Sequence, residues 1–296
     1  MKKIFIIILI LMFIPIIKAE SINKNIEISG KYQNFNGVNI DKENYNKIKN
    51  ILTESEIENL TQEDYQEIEK SEKILDATIY VSEKKYVIVS GTRLLIEEND
   101  LSIAEYNEIT DNNSNLVKTN SIDENVSYET TYKFIYMHAS TSDNIETFYM
   151  RNRWKEMPAN RSFDVFAMRW TNANNISIRT YNGTQDYKTT TNNTLQAIDY
   201  TQTSNNFQTF TNGISLSQNL VNNGTYYYQT IKVQVNCTGE TTLYGTYQHA
   251  QGDVTLAQSK LFTIGSGGMG NVIYWGTNEL NSIYDNTAGA NLTFTC

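Results

Sequence analysis

Cysteine, histidine and clusters of basic residues are all scarce in this chain of 296 residues. It has two cysteines and two histidines, and its 24 basic residues stand against 33 acidic ones, giving a formal net charge of −9. No group of lysines and arginines is dense enough to contact a phosphate backbone, so we exclude nucleic acid as a partner. The histidines, His138 and His249, lie in no HExxH motif, and GxSxG is absent. We predict no catalytic residue, no metal site and no cofactor.

Long apolar runs are also rare, and the longest lies at the start of the chain. Residues 4–17 are apolar, follow Lys2 and Lys3, and precede the small residue Ala19. This order is typical of a secretory signal peptide, which we place at residues 1–20. Because the run is shorter than the roughly 20 residues of a membrane-spanning helix, we expect a secreted, extracellular protein with no stable membrane span once the signal is removed.

The two cysteines, Cys237 and Cys296, are an even number in a chain with a predicted export signal. Disulfide bonds persist in the oxidising environments that exported proteins reach. We therefore predict a Cys237–Cys296 disulfide, which ties down the chain terminus and stabilises the fold by roughly 2–4 kcal/mol. Two free thiols are the alternative.

Negative charge is concentrated in the first part of the chain. Residues 21–125 contain 21 acidic and 11 basic residues, whereas residues 126–296 contain 11 acidic and 10 basic residues. This shift in composition marks a domain boundary near residue 125. We divide the chain beyond the signal into an acidic short-helix segment (21–77), a strand pair with a polar linker (78–125) and a β domain (126–296).

The acidic segment has the spacing of short helices. Apolar residues recur at helical intervals in residues 45–52, 57–60 and 65–68. Two capping boxes, beginning at Thr53 and Thr61, each start a new turn. The segment is too short and too charged to bury a core alone, so it docks on the rest of the chain, acts as a propeptide or acts as a spacer.

Strand-like runs recur beyond residue 126, separated by glycine, asparagine and serine. They read TYKFIYMHA, TFYMRNRW, FDVFAMRWT, NISIRTY, YYYQTIKVQV, TLYGTYQHA, VTLAQSKLFTI and NVIYW. Short strands separated by turn residues favour an antiparallel β-sandwich or jelly roll, so the predicted fold class is mainly β with a small acidic helical segment before it.

Two of these runs, and the two residues that follow one of them, allow a more detailed prediction. Residues 163–170 are apolar on both faces, as in a central covered strand. Asn182-Gly183 is the usual sequence of a type I′ hairpin turn. In residues 176–181, strict alternation places Tyr181 on the face opposite Ile176 and Ile178.

The stretch LFTIGSGGMGNVIYW (261–275) contains the spacing of a dinucleotide-binding fingerprint, Gly265-x-Gly267-x-x-Gly270. That fingerprint requires a helix after the glycines, with its N-terminus facing the pyrophosphate. Here the β-branched and aromatic residues of NVIYW favour a second strand. We interpret the glycines as a connection between two strands.

Two groups of side chains are candidates for a functional site. Glu156 and Asp164 have the residue types of a glycosidase carboxylate pair, although the favoured interpretation of both is a solvated loop residue. Trp and Tyr rings stack on sugar faces. The candidate ligand-binding residues are Trp170, Arg179, Tyr181, Tyr187 and Trp275, with Trp154 and Arg169 as further candidates and packing of the core as the alternative for each.

Three stretches together resemble uncharacterised secreted proteins of Gram-positive bacteria. They are LTESEIENLTQEDY (52–65), GTYQHAQGDVTLAQSKLFTI (245–264) and GGMGNVIYW (267–275). The resemblance implies export and a layout of signal peptide, acidic helical segment and C-terminal β region. No activity is known for this group, so the resemblance implies no site.

Three classes of function remain open. The favoured hypothesis is a secreted, non-enzymatic β-sandwich that binds a surface glycan or a protein partner. The alternatives are a secreted hydrolase whose acidic segment is a propeptide, and an oligomeric or pore-forming exported protein, since alternating runs such as YYYQTIKVQV suit barrel strands.

Overall fold

The chain forms two compact units, Met1–Glu69 and Lys70–Cys296. The structure is a computed structural model, and the residues it describes are 26–27, 29–49, 52, 57–58, 60–71, 73–74, 78–112, 126–154, 157–265, 272–285 and 289–296. The predicted signal peptide and the capping box at Thr53 lie outside the described residues.

The first unit contains a short β-hairpin and helices. Strands β1 (Lys31–Gln33) and β2 (Asn39–Asp41) pair antiparallel, and helices α1 (Lys42–Ile48) and α2 (Gln62–Lys70) follow. The hairpin was not expected from the sequence, since its strands are too short to show a period.

Local hydrogen bonds fix where these helices begin. The Asp41 carboxylate accepts the Asn44 backbone N–H at 2.8 Å and caps α1. The Thr61 hydroxyl accepts the Asp64 N–H at 3.2 Å, as in a capping box, and so starts α2. The apolar residues at helical spacing are buried: Tyr45, Ile48, Leu52, Ile57, Leu60, Tyr65 and Ile68.

The second unit is mainly β, and every pairing between its described strands is antiparallel. The strands are β3 (Lys73–Ile74), β4 (Thr78–Val89), β5 (Thr92–Leu101), β6 (Val126–Ser142), β7 (Ile145–Trp154), β8 (Phe163–Trp170), β9 (Ile176–Thr189), β10 (Gln196–Tyr200), β11 (Phe207–Phe210), β12 (Gly213–Asn219), β13 (Gly224–Cys237), β14 (Glu240–Gln248), β15 (Phe262–Ile264), β16 (Ile273–Trp275) and β17 (Ala290–Thr295). Its helices are α3 (Ile103–Asn112) and α4 (Asn278–Ile283).

Two large sheets are built from these strands. The eight-stranded sheet has the order β10-β9-β13-β7-β6-β4-β5, with β3 also pairing with β6, and the five-stranded sheet has the order β11-β12-β8-β14-β17. Inward side chains of both sheets share one apolar cluster, including Met137 and Ile231 from the larger sheet and Phe166 and Leu243 from the smaller. The unit is therefore a β-sandwich, as the sequence predicted.

The five-stranded sheet is covered on both faces. The outer face of β8 contributes Val165 and Ala167 to a second cluster, together with Phe262, Ile273 and Tyr284. Every residue of β8 from Asp164 to the end of the strand is buried, which confirms the prediction of a central covered strand. Strands β15 and β16 form an antiparallel hairpin in this outer layer. The glycines of GSGGMG thus join two strands, as expected, although residues 266–271 lie outside the described part.

The hairpin turn predicted at Asn182-Gly183 is wrong. Both residues lie within β9, which continues to Thr189. Gly183 is required there by space, since a Cβ at this position would overlap the Leu216 side chain of the opposite sheet and lie 2.8 Å from the Thr230 carbonyl oxygen. The glycine lets the two sheets approach closely and marks no turn.

The predicted face of Tyr181 is also wrong. The pairing of β9 with β13 shifts register between Gln234 and Val235, so Arg179 is an extra residue opposite them. Such a β-bulge reverses the alternation that follows it. Tyr181 therefore packs against the core on the same side as Ile176 and Ile178.

The boundary that composition placed near residue 125 does not divide the sheet. Strands β4 and β5 form the predicted strand pair, but β4 also pairs with β6 along its whole length. Residues 78–101 are thus part of the sandwich. The polar linker was predicted at about residues 111–125; residues 111 and 112 lie in α3, and 113–125 lie outside the described residues.

The Cys237–Cys296 disulfide is present, with the two Cα atoms 5.8 Å apart. It joins the end of β13 in the larger sheet to the residue after β17 in the smaller one. Among the helices described, none is long and apolar enough to cross a bilayer.

Candidate functional site

An open groove of about 410 Å³ lies beside β9 and β13, next to the turn that follows β10. Its lining combines hydroxyl and amide groups with one ammonium group and one aromatic ring. The lining residues are Thr180, Tyr181, Asn182, Thr201, Gln202, Thr203, Lys232 and Gln234. We call this surface the β9–β13 groove.

Hydrogen bonds and packing hold the lining of the groove in place. The Thr180 hydroxyl donates to Gln234 Oε1 at 2.8 Å, and the hydroxyls of Thr201 and Thr203 lie 3.0 Å apart. The half-buried Tyr181 ring packs edge-on against Phe207, with ring centres 4.8 Å apart. The groove therefore has donors and acceptors in fixed positions, and Tyr181, which borders it, is held by its packing against the core.

The predicted ligand-binding residues do not converge on one site. Tyr181 lines the groove, and Arg179 directly precedes the lining residue Thr180, with its backbone carbonyl accepting from Gln202 Nε2 at 3.5 Å. Trp170 is only 2% exposed and packs in the core between the sheets, so it contacts no ligand from solvent.

Two further predicted residues lie elsewhere in the sandwich. Tyr187 is half-buried, and its hydroxyl donates to Gln196 at 3.4 Å. Trp275 stacks on Tyr284, with ring centres 4.0 Å apart, in the outer layer over β8. The further candidates Trp154 and Arg169 are buried.

A second unusual place lies inside the sandwich, where four charged side chains meet. Lys84 of β4 and Lys133 of β6 both contact one oxygen of Asp285, with Nζ–Oδ2 distances of 2.7 and 2.8 Å. Lys84 Nζ is also 3.4 Å from Glu98 Oε1. We call these four residues the lysine–carboxylate cluster.

Burial and mutual attraction set the protonation of this cluster. Burial alone would raise the pKa of Asp285, but Lys133 and Lys84 hold it well below its usual range. Burial lowers the pKa of Lys133 and outweighs the effect of Asp285. Burial acts in the same direction on Lys84, but there the carboxylates of Asp285 and Glu98 prevail and its pKa is raised. The two lysines are thus chemically different although they share one partner.

A buried Asp164–His249 pair adjoins the cluster. His249 Nδ1 lies 2.8 Å from Asp164 Oδ1, which also accepts the Ala250 N–H at 3.0 Å. The Tyr247 hydroxyl donates to Asp164 Oδ2. The backbone N–H of His249 donates to Asp285 Oδ1 at 2.7 Å, which links the pair to the cluster.

His249 also lines a cavity of about 120 Å³, together with Arg93 and Trp154. The Trp154 ring packs edge-on against the His249 ring, with centres 4.9 Å apart. Within the part of the chain that the structure describes, no group of three or more histidine, cysteine or acidic side chains is placed to bind a metal ion.

The expected role of Asp164 as a solvated loop residue is wrong, because it lies in β8 and is fully buried. Its proposed partner Glu156 lies outside the described residues. Sequence reasoning missed Lys133, although a signal was present. Lys133 is in phase with the core residues Ile135 and Met137, at a position where the period of a strand predicts an inward side chain.

No family model matches the chain, and no curated protein matches it. A solved structure titled "Pore forming protein" is 10% identical, covers 40% of this chain and 74% of that one, and gives a TM-score of 0.22. Clostridium perfringens delta-toxin is 5% identical over the same shares, with a TM-score of 0.22. The C-terminal domain of the Streptococcus agalactiae AgI/II polypeptide BspA is 5% identical, covers 57% and 80%, and gives a TM-score of 0.25. Similarities at these scores carry no argument about function.

Proposed function

We propose that this protein is an exported β-sandwich that binds a surface glycan in the β9–β13 groove. The observation that carries the proposal is the lining of this groove. Hydroxyl and amide side chains, the Lys232 ammonium group and the half-buried Tyr181 line an open site of about 410 Å³.

The chemistry of the groove matches that of a sugar. A sugar ring has hydroxyl groups around its edge and a C–H face that stacks on aromatic rings. Thr201, Thr203 and Gln202 supply donors and acceptors for those hydroxyls, and Tyr181 supplies the ring. Because hydrogen bonds and packing already hold Thr180 and Tyr181 in place, little conformational entropy is lost when a ligand binds.

Two features support export. The first residues have the order of a signal peptide. In addition, the Cys237–Cys296 disulfide is of a kind that persists in oxidising compartments and is rare in the cytosol.

The test is a glycan array with the purified protein, followed by calorimetric titration of the best ligand. We expect saturable binding that weakens about tenfold or more in Tyr181→Ala and in Gln202→Ala, which corresponds to about 1.4 kcal/mol. The matched control is Tyr274→Ala, which removes an exposed tyrosine from strand β16 in the outer layer. It should bind like the unchanged protein.

Two outcomes would overturn the proposal. One is the absence of binding to any glycan by protein whose melting curve shows that it is folded. The other is binding that Tyr181→Ala and Tyr274→Ala weaken equally, since this places the ligand elsewhere. Binding to a protein partner without glycan would support the alternative partner class.

A further inference from the structure

The lysine–carboxylate cluster places an amine, a carboxyl carbon and a proton donor side by side. The Nζ atoms of Lys133 and Lys84 both lie within 2.8 Å of Asp285 Oδ2. The other oxygen, Oδ1, accepts the His249 backbone N–H at 2.7 Å. The two lysines thus hold one oxygen of the carboxyl group and the His249 N–H holds the other, and the Lys133 amine, 2.8 Å from Oδ2, is within reach of the carbon between them.

Water is almost entirely excluded from this arrangement. The side chains of Lys84, Lys133 and Asp285 are 3%, 2% and 1% exposed. The Lys133 ammonium lies 5.6 Å from the centre of the Trp154 ring and 5.1 Å from that of Tyr247. Keeping charges in such surroundings is costly, so a reaction that removes one opposite pair is favoured.

We propose that Lys133 and Asp285 form a covalent cross-link, an amide bond between Lys133 Nζ and Asp285 Cγ, with loss of one water molecule. The cross-link joins β6 of the larger sheet to the segment that follows α4. This inference does not depend on the β9–β13 groove, whose ligand is a separate question.

The step balances with water as the only other product. The neutral Lys133 amine attacks Cγ and forms the C–N bond, while the His249 N–H stabilises the charge on Oδ1. Oδ2 takes one proton from the Lys84 ammonium and one from the attacking nitrogen, and its bond to Cγ breaks as water leaves. Lys84 regains its proton through Glu98, whose side chain is 24% exposed and therefore reaches solvent.

The environments of the two lysines assign their roles. Burial lowers the pKa of Lys133, which favours the neutral amine that a nucleophile requires. The pKa of Lys84 is raised despite burial, because Asp285 and Glu98 are close, so it keeps the proton that it delivers. The carboxyl group of Asp285 cannot supply this proton itself, since Lys133 and Lys84 hold its pKa well below the usual range.

Intact mass spectrometry of the full chain tests the cross-link, after its N-terminus has been determined by sequencing. We expect a mass lower than that of the sequence by one water, in addition to the two hydrogens lost in the disulfide. In Lys133→Met an apolar chain of similar length replaces the amine, so no amide can form. The measured mass of this variant should therefore show no loss of water. Lys84→Met keeps both bonding atoms but removes the proton donor, so unreacted protein should persist longer after synthesis.

Peptide mapping locates the bond. We expect a branched tryptic peptide containing Lys133 and Asp285, with no cleavage after Lys133. Folded, unchanged protein that keeps the full mass would overturn the proposal. A branched peptide through Lys84 would also overturn it, because the nucleophile would then be the other lysine. Asp285→Asn gives a second check, since the same amide then forms with loss of ammonia and the final mass equals that of the cross-linked parent.

Discussion

The two ends of the sandwich core differ although strands β6 and β8 run through both. At one end, the apolar end, the inward side chains are Met137, Ala139, Phe148, Met150, Met168, Trp170, Leu243, Leu292 and Phe294. At the other, the polar end, the buried side chains are Lys84, Lys133, Asp164, Gln229, His249 and Asp285. Along β6 the change from apolar to charged side chains occurs between two successive inward-facing residues, Ile135 and Lys133.

This difference separates stability from chemistry. Burial at the apolar end stabilises the fold by about 25 cal/mol per Å² of apolar surface. Charges at the polar end contribute little net stability, because desolvation offsets their attraction. Stability of the fold therefore gives no reason to place Lys133 and Asp285 inside it, whereas the cross-link does.

The largest expected effect comes from removing the carboxylate of the polar end. Asp285→Ala prevents the proposed Lys133–Asp285 cross-link and leaves Lys84 and Lys133 buried without their shared partner. We expect it to lower the free energy of unfolding by about 3–5 kcal/mol, measured by urea denaturation. Adding Lys84→Met and Lys133→Met to this variant should recover part of the loss. If it recovers none, uncompensated charge is not the cause.

The apolar end is closed by the disulfide, and removing it should have the next largest effect. The double variant Cys237→Ser/Cys296→Ser should lose about 2–4 kcal/mol, because its unfolded state is no longer restricted by the bond. A reducing agent should lower the stability of the unchanged protein by a similar amount and leave the variant unaffected. Equal responses of the two proteins would contradict this account.

Two glycines that face the core test how rigid its packing is. A Cβ at Gly183 would lie 2.8 Å from a backbone oxygen, whereas one at Gly245 would meet the sulfurs of Met137 and Met150. Methionine side chains adjust more readily than backbone. We expect Gly183→Ala to cost about 1–3 kcal/mol and Gly245→Ala less, compared by thermal unfolding of both variants. The reverse order would mean that the methionines at the apolar end are held more firmly than the backbone near Gly183.

Most of the β fold could be predicted because the alternation of apolar and polar residues, or an unbroken apolar run, identifies a strand without reference to any other strand. Alternation and covered runs identified β6, β7, β8 and β13. The errors in β9 arose where one strand depends on another. The bulge at Arg179 is set by the pairing with β13, and Gly183 is needed because Leu216 approaches from the opposite sheet.

The candidate sites depend on contacts between residues that are distant in sequence. Tyr181 could be named as a candidate ligand-binding residue, since an aromatic residue within a strand-like run can be recognised in the sequence. Lys133 and Asp285 are 152 positions apart, and no local pattern connects them. Their meeting is determined by the pairing of β6 in the larger sheet and by the position of the segment after α4, which one sequence does not provide.

The smallest effect concerns His138, a buried ionisable group whose charged neighbour is a cation, Arg151, in contrast to the polar end. His138 lies on the outer face of β6 and stacks on Tyr149, with ring centres 4.3 Å apart. Burial, with a smaller contribution from Arg151, lowers its pKa well below the usual value. The folded protein therefore keeps His138 neutral, while the unfolded chain binds a proton below about pH 6.5.

Stability should consequently fall as the pH drops below 6.5, by up to about 1.4 kcal/mol per pH unit from this residue. His138→Phe keeps an aromatic ring that cannot titrate, so its stability should decline less between pH 7 and 5 in urea titrations. At pH 8 His138 binds no proton in either state, so any difference in stability between the two proteins reflects packing alone. Parallel curves from pH 8 to 5 would show that His138 is protonated equally in both states, and the contrast with the polar end would then disappear.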